Sequence, residues 1–452
     1  PVAHEELLSR GISLRAYYSV SSDSGTDRWY EPFRQFFALR RDVLVLSVAM
    51  FAFSLAFQMT GRYIPEYLRL FGAGAGVIGL YGSVGNLIGA VYPYPGGALS
   101  DRIGSRLSLT AFGLISTAGF CLWWLTPELG AIALPGLIIP DWIWIFAGLF
   151  LSQAWKSLGL GATFAIVKQS VPPDRLAAGF ASTETFRRIG FLVGPLLAAT
   201  LLALTPTFVD GFRLVLLVAI LFGAVATVSQ HVLYRAEADT IGKSFEGLTQ
   251  IVDDLRAMPA ILRPLLVGDT LVRFANGMVY VFFVIVITEF HQVGFTGFGL
   301  SLTPAAFFGI LLGIEMVVAL LTMVPVANLA ERVGLKPTVG LGFAVYAVFP
   351  VLLIMAPPDP VLMGVLFAFS GLRFAGLPAH KALIVGPAER EAGGRVTGAY
   401  YLLRNTIVIP SAAIGGWLYG IDPTIAFGTA SVIGVAGTGY FLAFGREFGP
   451  YG

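Results

Sequence analysis

Nine ionisable side chains sit inside otherwise apolar runs of this sequence: Lys156, Glu184, Arg187, Arg188, Asp269, Arg273, Glu315, Arg373 and Arg404. If those runs lie in hydrocarbon, each charge costs at least ~2.5 kcal/mol wherever it faces lipid, so each should point into a bundle interior or a wet cavity. Glu184 with Arg188, and Asp269 with Arg273, stand four residues apart, the spacing at which opposite charges meet on one helix face. Both pairs fit a structural role and a functional one equally well. Glu315 has no cation three or four residues away. It is the leading candidate for a carboxyl that takes up and releases a proton, with Glu184 and Asp269 next, because desolvation and neighbouring charges tune such groups for proton exchange. The alternative for Glu315 is a fixed ion pair with Lys156 or Arg373. After local pairing, Lys156, Arg187, Arg373 and Arg404 outnumber Glu315, and an interior with that excess attracts an anion.

Several other chemistries are excluded by what is missing. Cys121 is the single cysteine and lies in an apolar run, so neither a disulfide framework nor a cysteine metal site is available. His4, His231, His291 and His380 lack ligand spacing, so no metal is expected. Gly242-Lys243-Ser244 is not a phosphate loop, since the required first glycine is Glu237. No nucleophile motif is present, and neither enzymatic activity nor a cofactor is expected. The net charge of +2, with its basic residues spread through short loops, argues against a nucleic-acid partner.

Membrane helices must therefore position the charges. The 452 residues are 56% hydrophobic and 12% charged, with mean hydropathy +0.78, whereas soluble domains carry about 25% charged residues. A hydrocarbon core ~30 Å thick needs ~20 apolar residues per helix. Twelve such runs can be marked: Val43 to Leu68, Gly76 to Leu99, Arg106 to Thr126, Trp142 to Lys168, Ala177 to Ala203, Phe212 to Leu233, Leu262 to Glu289, Leu300 to Leu329, Pro337 to Met355, Pro360 to Ile384, Arg395 to Leu418 and Thr424 to Phe444. At 1.5 Å per residue Lys156 lies ~21 Å into its helix, near mid-bilayer, and Arg373 sits at a matching depth.

The fold class expected is an all-α membrane protein, with twelve transmembrane helices in two pseudo-symmetric six-helix bundles. Its expected parts are an N-terminal segment 1–42, a bundle 43–233, a linker 234–260, a second bundle 261–445 and a tail 446–452. Within the linker, Phe245, Leu248, Ile251, Val252, Leu255 and Met258 recur at helical spacing among charged residues, the pattern of an amphipathic surface helix. Basic residues concentrate in alternate loops, which places those loops, both termini and the linker in the cytoplasm of a multi-pass cell-membrane protein.

The chain also repeats itself. The loop after the second run reads Gly97-Ala-Leu99-Ser-Asp101-Arg102-Ile-Gly104-Ser-Arg106, and the loop after the eighth reads Ala327-Asn-Leu329-Ala-Glu331-Arg332-Val-Gly334-Leu-Lys336. A second echo links Lys156-Ser-Leu-Gly159-Leu-Gly-Ala162 with Arg373-Phe-Ala-Gly376-Leu-Pro-Ala379. Parallel six-helix repeats are a known transporter plan, with the substrate held at the midplane between them.

These residues resemble the major facilitator superfamily, whose cytoplasmic signature is G-x-L-x-D-R-x-G-R-R/K. The first copy departs from it by Ser105, the second by Ala327 and Glu331. The resemblance implies a gating role for Gly97, Asp101, Arg102, Gly104 and Arg106, and for Glu331, Arg332, Gly334 and Lys336. Gly97 would let two helices approach closely. Ala181, Gly190, Gly194-Pro195, Ala198 and Ala199 resemble the family's antiporter signature with three glycines replaced by alanine; the alternative is plain small-residue packing, as at Gly85/Gly89 and Gly309/Gly313. Helices one, four, seven and ten line the cavity in this family, which adds Gln58, Arg62, Gln153, Asn276 and Tyr280 to Lys156, Arg187, Arg188, Arg273, Arg373 and Arg404 as substrate-binding candidates. Tyr400, Tyr401 and Asn405 supply stacking and hydrogen bonds.

The function expected is secondary active transport of a small organic solute carrying negative charge, by alternating access, as a proton-coupled efflux antiporter. The alternatives are an anion exchanger or uptake symporter without proton coupling, and a non-transporting sensor on the same fold. The expected partners are the lipid bilayer, the solute and protons, with the chain a monomer.

Overall fold

A computed structural model describes residues 41–159, 162–163, 166–167, 176–234, 256, 258–297, 299–385 and 393–447. The N-terminal segment to residue 40, most of the linker and the end of the tail lie outside the described residues.

The first set of helices comprises α1 (Arg41–Thr60), α2 (Ile64–Leu70), α3 (Ala75–Val91), α4 (Pro93–Ile103), α5 (Ser105–Leu129), α6 (Ile143–Gln153), α7 (Leu176–Ala203) and α8 (Phe208–Leu233). The second comprises α9 (Arg263–Val279), α10 (Pro304–Val333), α11 (Leu335–Met355), α12 (Pro360–Gly371), α13 (Leu377–Val385), α14 (Gly393–Val408), α15 (Ser411–Ile421) and α16 (Pro423–Phe444). Two small antiparallel hairpins join them, β1 (Ile132–Leu134) with β2 (Leu137–Ile139) and β3 (Phe295–Gly297) with β4 (Leu300–Leu302). The eighth apolar run thus starts as a strand, and its helix begins only at Pro304, capped by Thr303.

Among the described residues nine helical stretches are long and apolar enough to cross a membrane. The three remaining runs are helical too, but interrupted. Pro93 restarts the second after Tyr92, the fourth passes from α6 into a π turn at Ala154–Leu158, and the eleventh breaks at Pro410 between α14 and α15. The seventh and tenth runs carry 3-10 turns at Tyr280–Phe282 and Leu372–Phe374. A break in a buried helix leaves backbone groups that need other partners, so such breaks are tolerated where protein or a wet cavity surrounds them. Lys156, Tyr280 and Arg373 all stand on these turns.

Three of the helices that enter from the end remote from the two repeat loops, α8, α10 and α12, begin at side-chain caps. Asp359 Oδ1 accepts from the Leu362 amide at 2.7 Å, Thr303 Oγ1 from Ala306 at 3.4 Å and Thr207 Oγ1 from Asp210 at 3.2 Å, each meeting one of the four amides that a helix start leaves unpaired. At that same end the two sets meet. The Arg69 and Glu289 side chains form an ion pair, Thr288 Oγ1 donates to Glu66 at 2.8 Å, and Tyr63 stands edge-on to Phe308 with centroids 5.7 Å apart.

Two helix pairs carry the junction between the sets, α3 with α15 and α7 with α10. A Cβ on Gly79 would lie 2.4 Å from the Ala412 carbonyl and one on Gly309 2.6 Å from that of Pro195, so glycine is what permits each approach. The small-residue contact in the second run therefore falls at Gly79 and Gly82, since nothing described lies within 4 Å of a Cβ at Gly85 or Gly89. Gly190 and Gly194 press on α1 at Leu55 and Gln58. Similarly, the tight approach at the first repeat loop belongs to Gly96, against the Leu158 backbone; Gly97 has nothing described within 4 Å.

The repeat is visible in the backbone. Gly104 has φ 85° and ψ 154°, Gly334 φ 100° and ψ 159°, and each is the residue before a long helix. That region is open only to glycine, which explains why both loops keep it. Arg106 Nε donates to the His231 carbonyl at 2.8 Å, and Glu447 accepts from the amides of Leu335 and Lys336 at the positive start of α11. Arg102 and Arg332 are exposed, and the side chains of Asp101 and Glu331 lie outside the described residues. Gly104→Ala and Gly334→Ala should each lower stability by about 1–3 kcal/mol, the cost of a strained backbone, seen as a reduced thermal midpoint of the purified protein in detergent.

Candidate solute-binding site

Five of the nine intramembrane charges, Asp269, Arg273, Glu315, Arg373 and Arg404, gather into two nodes in the second set of helices. Glu315, on α10 and 2% exposed, holds one. Its Oε1 accepts from Ser370 Oγ at 2.8 Å and from the Arg373 guanidinium. Arg62, arriving from the first set, stands 3.9 Å from Oε2 and lays its guanidinium 3.9 Å over the Tyr280 ring. Arg373 also donates to Asn276 Oδ1 at 3.5 Å and is enclosed by the rings of Phe374 and Tyr346. Glu315 is thus a paired carboxylate, and its partners are Arg373 and Arg62. Lys156 is not among them: it is exposed, with its Nζ 5.9 Å from the Phe57 ring centroid.

Asp269, on α9 and fully buried, holds the other node. Its Oδ1 accepts from Arg273 Nε at 3.3 Å, and its Oδ2 from Arg404 Nη1 at 3.0 Å and from the Tyr400 hydroxyl at 3.1 Å. His380 Nε2 lies 3.2 Å from the same Oδ2. The local pair expected between Asp269 and Arg273 is present, but helices α13 and α14 complete it. Tyr346 joins the nodes: its hydroxyl accepts from Arg273 Nη1 at 2.9 Å, while the Arg373 guanidinium lies 5.2 Å from its ring centroid.

Four arginines here surround two carboxylates. Arg62 Nη1 and Arg373 Nε are buried and have no hydrogen-bond partner among the described residues. Unused charged donors at that depth are costly unless something accepts from them.

A cavity of about 240 Å³ opens beside these nodes, lined by α3, α9, α14 and α15. Arg273, Asn276, Tyr280, Arg404 and Asn405 border it, all candidates from the sequence, together with Asn86. Asn405 Oδ1 accepts twice from Arg404, at 2.8 and 3.1 Å, which holds that guanidinium at the cavity wall. Tyr401 stacks beneath Arg404, 4.6 Å from ring centroid to Cζ, and Tyr400 is fully buried behind it. Gln58, Gln153, Lys156, Arg187 and Arg188 do not border this cavity. They lie on the first set, where Arg187 packs on Phe191. The Glu184 side chain lies outside the described residues.

Sequence reasoning missed Asn86, Ser370, Tyr346 and His380. Asn86 stands alone among apolar neighbours, and His380 directly follows the Arg373 echo, so both carried a faint signal; Tyr346 reads as ordinary core.

Residues 46–311, more than half of the chain, match the family model of the Major Facilitator Superfamily. The chain belongs to this superfamily. An uncharacterized MFS-type transporter of Methanocaldococcus jannaschii is 21% identical over 411 residues, covering 90% of this chain and 95% of the relative. Among solved structures, a variant of the nucleoside transporter NupG aligns with TM-score 0.72 at 12% identity, over 90% of this chain and 100% of that one. A bacterial homologue of the iron transporter ferroportin, in its inward-facing state, aligns with TM-score 0.67 at 15% identity, over 90% and 98%. At such identities the solved structures speak for the fold alone. The chain is thus a multi-pass membrane protein with the superfamily fold, and its relatives are transporters.

In this superfamily member a buried pair with one partner deleted should be worse than no pair. Arg373→Met should destabilise by about 3–5 kcal/mol by stranding Glu315, and adding Glu315→Leu should recover part of the loss. Thermal unfolding of the two single variants and the double variant provides the comparison.

Proposed function

We propose that the chain is a secondary active transporter that carries a small organic solute with negative charge by alternating access, coupled to protons. The observation that supports this most is the pair of guanidinium groups, Arg273 and Arg404, on the wall of one cavity, next to a second node in which buried Arg62 and Arg373 keep donors unused. In a low-dielectric interior such positive charge is relieved by an anion. Arg273 and Arg404 face the solute, Asn86, Asn276 and Asn405 complete its hydrogen bonds, and the Arg62 bridge to Glu315 ties occupancy to the relation between the two helix sets. With both termini in the cytoplasm, the closed end at Arg69–Glu289 is the outer face.

Export by proton antiport is the direction suggested by the small residues at Gly190, Gly194 and Pro195, with Glu315 as the proton carrier. A second arrangement is favoured by a specific observation: both buried carboxylates are held by arginines. Protonating either one frees a guanidinium for an anion, so proton and solute would bind together and travel in the same direction.

Flux in reconstituted vesicles under pH gradients of both polarities separates the two. Antiport predicts solute moving against the proton flow, co-transport with it, and exchange without protons predicts indifference to the gradient. Under either proton-coupled arrangement, Glu315→Gln should cut gradient-driven flux by roughly tenfold or more, the effect of losing about 1.4 kcal/mol of coupling. Unchanged flux in that variant would remove Glu315 from the coupling. No flux for any solute, under any gradient, would favour a sensor.

A further inference from the structure

The Asp269 node contains a feature that its structural role leaves unexplained. Asp269 Oδ2 has three polar groups crowded on it, Arg404 Nη1 at 3.0 Å, Tyr400 Oη at 3.1 Å and His380 Nε2 at 3.2 Å. Only the first two are aligned as hydrogen bonds. His380 Nε2 is buried and has no hydrogen-bond partner among the described residues, although a carboxylate oxygen lies within reach. The imidazole is 4% exposed, set edge-on to Phe343 and to Tyr400. A neutral imidazole can leave that nitrogen as an idle acceptor; an imidazolium must donate from it.

Resting on the reading of the cavity as an anion site, we propose that Arg273 and Arg404 form a carboxylate subsite that Asp269 occupies in the resting protein, and that proton uptake by His380 draws Asp269 away so that a solute monocarboxylate takes its place. The geometry supplies each part. Arg273 Nε and Arg404 Nη1 converge on the two oxygens of one carboxylate, the arrangement in which guanidinium groups recognise this anion. Both arginines border the cavity, while His380 does not and borders instead a separate small pocket that Arg273 also lines. Asp269 thus contacts both arginines of the cavity wall and the imidazole, and its Oδ2 is shared by Arg404 and His380. One proton enters from water and stays on His380 Nε2; no bond other than hydrogen bonds is made or broken.

Among the described residues the charged and titratable groups facing His380 are these. Asp269 and Arg273 come from α9, Tyr346 from α11, Arg373 from the turn before α13, and Tyr400 and Arg404 from α14. Three of these are arginines that stay charged, which leaves Asp269 as the acceptor for the new donor.

Proton and carboxylate binding are therefore linked, and by reciprocity each strengthens the other. The test uses the purified full chain labelled with 15N-histidine, titrated between about pH 5 and pH 9 with and without sodium benzoate, the His380 signal being assigned by its loss in His380→Gln. Benzoate should raise the midpoint of the His380 titration, and should bind roughly tenfold tighter at low than at high pH, within the range usual for linked sites. The dependence should vanish in His380→Gln with benzoate binding retained, and Arg404→Gln should abolish the midpoint shift. A His380 midpoint indifferent to benzoate, acetate and formate overturns the proposal. Vesicle flux is read separately: solute transport with an unmoved His380 sinks this inference and leaves the transport reading standing, whereas a moved His380 with no flux for any solute does the reverse.

Discussion

The arrangement of this protein turns on burying more guanidinium than carboxylate within one set of membrane helices. Arginine does not lose its proton in a protein, so the usual escape of a buried charge, neutralisation, is closed to it. The charges must be met by carboxylates, aromatic faces and amide oxygens, and the structure uses all three. Glu315 and Asp269 each serve arginines from more than one helix. Tyr280, Tyr346 and Tyr401 offer ring faces to Arg62, Arg373 and Arg404, and Asn276 and Asn405 offer carbonyl oxygens. What these partners leave unmet among the described residues is one buried nitrogen each on Arg62 and Arg373.

The interrupted helices follow from the same constraint. A guanidinium placed by an ideal helix is fixed in direction by the 3.6-residue period, whereas a 3-10 or π turn re-aims it. Arg373 stands on a 3-10 turn from which it reaches Glu315 on α10 and Asn276 on α9. Lys156 occupies the corresponding place in the first set, on a π turn, yet is exposed. The repeat preserves the break and the basic residue in both halves of the sequence, and the buried one, Arg373, is the one paired with a buried carboxylate. Thus the echo between Lys156 and Arg373 is one of backbone position, with the side chains put to different use.

How much of this was legible depends on the range of the interaction. Helical runs are written in composition, because spanning hydrocarbon demands long apolar stretches whatever their neighbours. Gly104 and Gly334 are legible for an equally local reason, a backbone conformation that other residues resist. The Asp269–Arg273 pair could be read from its spacing. Its completion by Arg404, Tyr400 and His380 could not, since those residues are more than a hundred positions away and meet Asp269 only after α9, α13 and α14 pack. The π turn at Ala154–Leu158 was also hidden, as no proline or glycine within it marks the break, whereas Pro93 and Pro410 announce theirs. The close small-residue contacts lie at Gly96, one residue from Gly97, and at Gly82, three residues from Gly85, because which glycine faces the neighbour depends on helix rotation, a tertiary property.

Tyr346 connects the two nodes. Its hydroxyl is tied to Arg273 of the Asp269 node, and its ring lies under both Arg273 and Arg373. Moving either guanidinium changes the field on a ring that the other one uses, in surroundings where little water is available to screen the change. Arg373 in turn holds the carboxylate that Arg62 approaches from the other helix set. A rearrangement at Asp269 therefore has a continuous route of direct contacts to the junction between the sets, through Arg273, Tyr346, Arg373 and Glu315 to Arg62 and Tyr280. Such a chain of paired groups is one physical means by which a change in one helix set can alter how that set meets the other.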